Sequence, residues 1–181
     1  QRDHPAAFQG LSKVPPSHGA YWNLSWIDLV VGDVEGQQRD LERLVQLDRE
    51  FDSPWRVAQE IHLAYVHYLT GDMEGCVEAF APNIEALEAS VHADRPMTHW
   101  GLDYDRHLLC SFYLARAKLA EDSGVRESEL NKARAIAAEM KQVFVAHMYL
   151  ALAEGKLDEA IDANQRTFLT ATASFDFRDG S

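Results

Sequence analysis

Three corners of this chain are written in nearly the same letters, and they constrain its fold more than any other feature. GDVEG fills positions 32–36, GDMEG fills 71–75, and EGKLDEA fills 154–160. Each follows an apolar stretch of helical length. Gly accepts the left-handed conformation that ends a helix. Asp offers a side-chain oxygen to the open amides of the next helix. Glu in the first turn suits the positive end of the helix dipole. The phrase therefore predicts hairpin punctuation. A phosphate loop would need a preceding strand and a Lys, and the two GDxEG corners have neither.

The rest of the chain fits that pattern. Residues 1–17, with Pro5, Pro15, Pro16 and Gly10, read as an irregular lead-in, and Ser17 is placed to cap a helix over 18–31. A second helix is expected over 34–50. Asp52-Ser53-Pro54 is a restart signal for a third, ending at Thr70. The next runs over 73–91, and Pro82 inside it should kink or split it. HADRP, at 92–96, is a break. Helices are then expected over 99–121, from 126 or 127 to 140, over 143–154 and over 157–171, with Asp122-Ser123-Gly124 as a turn and 172–181 as a loose tail. Strand alternation is nearly absent. The short turns force antiparallel neighbours. The fold class is all-α, and the helices group into four hairpins, about 18–50, 54–91, 99–140 and 143–171.

Aligned on Gly32, Gly71, Asp122 and Gly155, the hairpins repeat Leu24, Leu63, Leu114 and His147 eight residues before the turn, and Ile27, Val66, Ala117 and Leu150 five before it. Helix pairs repeating at such spacings are the mark of an α-solenoid. The pattern resembles the tetratricopeptide repeat family. The second hairpin carries the likeness best, with Leu63-Ala64, Gly71-Asp72, Cys76 and Phe80. The last carries it at Gly155 and Ala160, and the first at Leu24, Gly32 and Leu41. The third lacks the Gly. The family's aromatic four residues before the Gly is replaced by Asp28, His67, Lys118 and Ala151, and its closing Pro is missing. LARAKLAED and LNKARAIAAEM are similar to helical-repeat regions appended to bacterial signalling proteins and transcription regulators.

The resemblance implies a protein-interaction module that binds a peptide, a partner domain or a second copy of itself. In that family the first helix of each hairpin lines a groove. The positions that correspond here are Trp22, Trp26, Ile61, Tyr65, Phe112, Arg116, Val145 and Tyr149. An aromatic groove with one Arg suits an apolar peptide or helix. The same stripe also fits a buried core between helices. The alternative reading is a closed bundle around a small-molecule pocket, with His62, Tyr65, His99, Trp100 and Tyr104 as its lining.

Composition limits the partners. The net charge of −12 argues against tracking nucleic-acid phosphates; it favours solubility and fits a solvated acidic surface, with basic partners as the alternative reading. No apolar run is long enough to span a bilayer. Cys76 and Cys110 form no CxxC pair, so buried reduced thiols and a cytoplasmic setting are expected, without a metal or cofactor. HxxxDxxxH, at His99, Asp103 and His107, spreads along one helix face over too great a length for all three to reach one ion. No nucleophile motif is present, so catalysis is not expected. The chain opens on Gln1 and its first Met is Met73, which gives the expectation of a domain from a longer protein.

Overall fold

The structure, a computed structural model, describes residues 18–51, 56–98, 101–141 and 145–174; at 18, 19, 26, 29, 30 and 167–174 it describes the backbone alone. Among the described residues every regular element is a helix, so the chain is all-α.

The corners explain the helices. Helix α1 (His18–Val31) ends because Gly32 turns left-handed, at φ 80°. The Asp33 amide then reaches back to the Asp28 carbonyl at 2.8 Å and closes the last turn. Asp33 caps α2 (Val34–Glu50), its Oδ1 accepting from the Gly36 amide at 2.8 Å. The second hairpin repeats this between α3 (Arg56–Thr70) and α4 (Met73–Phe80). Gly71 has φ 83°, the Asp72 amide donates to His67 O at 3.0 Å, and Asp72 Oδ1 accepts from the Gly75 amide at 2.9 Å. The second Gly of each phrase has its own cause. A Cβ at position 36 would lie 2.6 Å from Asp33 Oδ2, and one at position 75 would crowd Asp72 more closely. The glycine leaves room for the capping carboxylate.

Pro82 splits the fourth expected helix, as its missing donor requires. After α4, residues 81–83 form a turn, and α5 runs from Ile84 to His92. The chain divides between Asn83 and Ile84 into two compact units.

The third corner corrects the sequence reading. Helix α6 (Leu102–Leu119) ends on an extended Ala120, at φ −68° and ψ 119°, with no left-handed residue. Asp122 then caps α7 (Ser123–Glu139), accepting from the Val125 amide at 2.9 Å. The expected turn at 122–124 is therefore a cap and a first helical turn, and α7 begins three or four residues earlier than expected. Asp122 plays the part of Asp33 and Asp72, not that of Gly32 and Gly71. The fourth corner joins α8 (Val145–Ala153) to α9 (Leu157–Ser174) through Gly155, at φ 73°. Helix α9 runs three residues past its expected end at 171, taking in the start of the expected tail. Ser17, the Asp52-Ser53-Pro54 signal and residues 175–181 lie outside the described residues.

In the first unit α2 packs on α1 and on α3, and α3 packs on α4. Leu41, Leu44 and Val66 are fully buried, walled by Tyr21, Trp22, Val34 and Leu63. In the second unit α5 packs on α6, α8 packs on both α6 and α7, and α9 packs on α8. Leu87, Leu108 and Leu109 are its fully buried leucines. On α8 and α9 the buried residues are Ala146, Ala151, Ala160 and Ala163. Side chains this small let helix backbones approach closely. None of the described helices is long and apolar enough to cross a membrane.

Candidate interaction site

The predicted groove residues fall into both units. In the first, Ile61 is fully buried and Tyr65 nearly so, while Trp22 is half-buried. They meet at His62. The Trp22 ring lies 6.2 Å from the His62 ring, Tyr65 lies 6.4 Å from it, and Tyr65 stacks on Tyr68 at 6.4 Å. Burial lowers the His62 pKa to about 4, so the ring is neutral at pH 7. The Trp26 side chain lies outside the described residues. In the second unit Phe112 is buried beneath the guanidinium of Arg116, 5.6 Å from its ring centroid. Arg116 is exposed, and Val145 and Tyr149 are half-buried.

Of the residues weighed for a small-molecule pocket, His62 and Tyr65 belong to the first unit and Tyr104 to the second; His99 and Trp100 lie outside the described residues. In the HxxxDxxxH motif, Asp103 accepts from Arg106 Nη1 at 3.1 Å and from the Lys141 amide at 3.0 Å. His107 is buried beside Tyr104, with ring centroids 5.7 Å apart.

Sequence reasoning missed the most organised polar cluster among the described residues. Arg106 lies on α6 with its side chain only 8% exposed. Its Nη2 contacts Asp94 at 2.8 Å and Glu139 at 3.4 Å, and its Nη1 contacts Asp103. One guanidinium so ties the end of α5 and the end of α7 to the first turns of α6. Asp94 reaches it from a left-handed backbone, at φ 52°, which Asp tolerates better than most residues. One residue before Arg106, Asp105 accepts from the Met97 amide at 2.6 Å and from the Thr98 hydroxyl at 2.5 Å. Burial raises the Asp105 pKa, against the pull of these donors. The cluster fastens residues 94–98 onto α6. Its one local signal was the i, i+3 pair of Asp103 and Arg106.

A cleft of about 560 Å³ opens beside Arg106, between α5, α6 and α7. Val91, Ala135 and Ile136 give it an apolar wall, and Asp94, Glu139, Lys132 and His92 give it a polar rim. Tyr113 lies at one side. Its hydroxyl donates to Glu88 Oε1 at 2.5 Å, and Lys132 Nζ sits 5.2 Å from its ring centroid. Lys132 and Arg116 both reach the buried Glu129, at 3.0 and 3.4 Å.

The first unit holds a second unpredicted group. Asp28 is buried on α1, and its pKa is raised to about 6. Burial is the main cause, followed by the neighbouring Asp40 and then Asp33, with Arg39 opposing. A protonated Asp28 can donate to Asp40, which lets two carboxyl groups share one place.

Compared with protein-family models, with curated proteins and with solved structures, the chain has no match.

Proposed function

We propose that this chain is a protein-interaction module. Its tetratricopeptide-like hairpins form an α-solenoid that holds a peptide or a partner domain, as a regulatory part of a larger signalling or transcription-regulating protein. The observation that carries this reading is the docking of α8 on both helices of the preceding hairpin, α6 and α7. A helix hairpin cannot bury its apolar stripe alone, and stacking on a neighbour is the solution repeat proteins adopt. Leu152, Leu157 and Ile161 remain exposed on the α8–α9 hairpin, which is apolar surface of the kind a partner covers. The buried free thiols of Cys76 and Cys110 fit a reducing, cytoplasm-type setting. The acidic balance of the chain points away from direct nucleic-acid contact.

A second reading, a small-molecule sensor or enzyme, draws support from the cleft beside Arg106, whose volume is of ligand size. Selection of random peptides against the folded chain separates the two. The module reading expects a peptide consensus that binds in calorimetry. The pocket reading expects no consensus and a melting shift from a member of a metabolite panel.

A further inference from the structure

We propose that the cleft between α5, α6 and α7 seats a lysine or arginine side chain of the partner peptide. The cation meets Asp94 and Glu139 at the mouth, and its aliphatic stem lies along Val91 and Ile136. The proposal rests on the interaction-module reading and supplies the chemistry of the partner.

The cleft has room for one or two side chains, and its wall is apolar. A long basic side chain is apolar along its stem and charged only at its tip, so it matches a site built this way. The charges around the cleft are unequal. Asp94, Asp103 and Glu139 surround Arg106, Glu88 holds Tyr113, and Glu129 lies between Lys132 and Arg116. Of these, Asp94 and Glu139 line the cleft itself against Arg106 and Lys132, and the three carboxylates behind them, Asp103, Glu88 and Glu129, outnumber Arg116 and tip the local charge negative.

Arg106 is a poor receptor for an anion, because its guanidinium is buried and already bonded to three carboxylates. The acceptors are differently placed. The side chains of Asp94 and Glu139 are 74% and 60% exposed, and each gives Arg106 a single oxygen. They stand at the cleft mouth with Arg106 fixing their spacing. A second cation can bridge them without breaking either contact. The net charge of −12 draws a basic segment toward the chain as a whole.

The test is fluorescence anisotropy of the full chain with fluorescein-labelled peptides of about eight residues, alternating Leu with Lys, Gln or Glu. The Lys peptide should bind about tenfold more tightly than the Gln peptide, and the Glu peptide least. Glu139→Gln should weaken the Lys peptide about threefold, and Asp94→Asn with Glu139→Gln about tenfold. Asn keeps the left-handed backbone accessible, and Arg106 keeps Asp103 in both variants; circular dichroism melts verify folding. Glu35→Gln with Asp158→Asn removes the same charge elsewhere and should leave binding unchanged.

Equal loss in that control overturns the cleft assignment in favour of diffuse attraction. Binding of all three peptides that the cleft variants do not alter also overturns it, while the module reading stands. If neither these peptides nor any selected from a random library binds, the module reading falls, and the cleft proposal with it.

Discussion

Arg106 and Asp94 face each other at 2.8 Å across the junction of α5 and α6, the guanidinium buried and the carboxylate in water. The contact joins a mostly buried side chain to one that water surrounds, so its two ends answer differently to mutation. Arg106→Ala leaves Asp103 beside a void and releases the ends of α5 and α7. It should cost about 3 kcal/mol. Asp94→Asn leaves Arg106 with Asp103 and Glu139 and should cost about 1 kcal/mol. Urea denaturation of the two variants checks the asymmetry.

The capping geometry makes a prediction about sign. Gly75→Ala in the parent chain pushes a methyl group against the Asp72 carboxylate and breaks the cap, so it should destabilise by about 1 kcal/mol. In an Asp72→Ala background there is no cap to break. The same change then replaces a helical Gly by Ala and should stabilise by about 0.5–1 kcal/mol. A double-mutant cycle followed by thermal melts reads the reversal directly.

Two buried groups in the first unit pull stability in opposite directions with pH. His62 has a folded pKa near 4, below its unfolded value of 6.5. Its contribution is present above pH 6.5 and is lost as pH falls toward 4. Asp28 has a folded pKa near 6, above its unfolded value of 3.8. Its contribution is present below pH 3.8 and is lost as pH rises through 6. His62→Gln should therefore make the chain more stable at pH 5 than at pH 7, relative to the parent. Asp28→Asn should do the reverse, and should raise stability at pH 7 by about 1–3 kcal/mol. Melts between pH 4.5 and 7.5 decide both.

Burial separates the predicted groove residues by what their loss would do. Phe112→Ala empties a buried site and should cost about 3–5 kcal/mol, so any loss of partner binding should track loss of folded protein. Arg116→Ala removes an exposed side chain and leaves Glu129 to Lys132, so it should cost about 1 kcal/mol. Binding measured at matched folded fraction separates contact from stability.

The legible part of this fold was local. Gly32, Gly71, Gly155 and Pro82 dictate backbone geometry within a few residues, and the helix ends near them were readable for that reason. Asp122 was misread because Asp serves equally in a turn and as a cap. Only the Val125 amide decides between them, and no residue type marks an amide's direction. The Arg106 cluster was beyond reach for another reason. Glu139 is far from Arg106 in sequence, and the approach of the two depends on α7 packing on α6. Asp28 stood out only as the residue at the family's aromatic position, and nothing local to it showed that Asp40 would lie beside it. As for the candidate site, its residues were visible as letters, and their burial was not. Ile61 and Tyr65 satisfy a groove pattern and a core pattern equally, and packing places them in the core of the first unit.

The most direct test of the central claim is a ¹⁵N chemical-shift titration of the intact chain with a peptide selected from a random library. The interaction-module account predicts saturable shifts clustered on one helical surface, with Val91, Tyr113 and Ile136 among the residues that move. A chain that shows no shift with any selected peptide, and saturable shifts with a small metabolite instead, would contradict it.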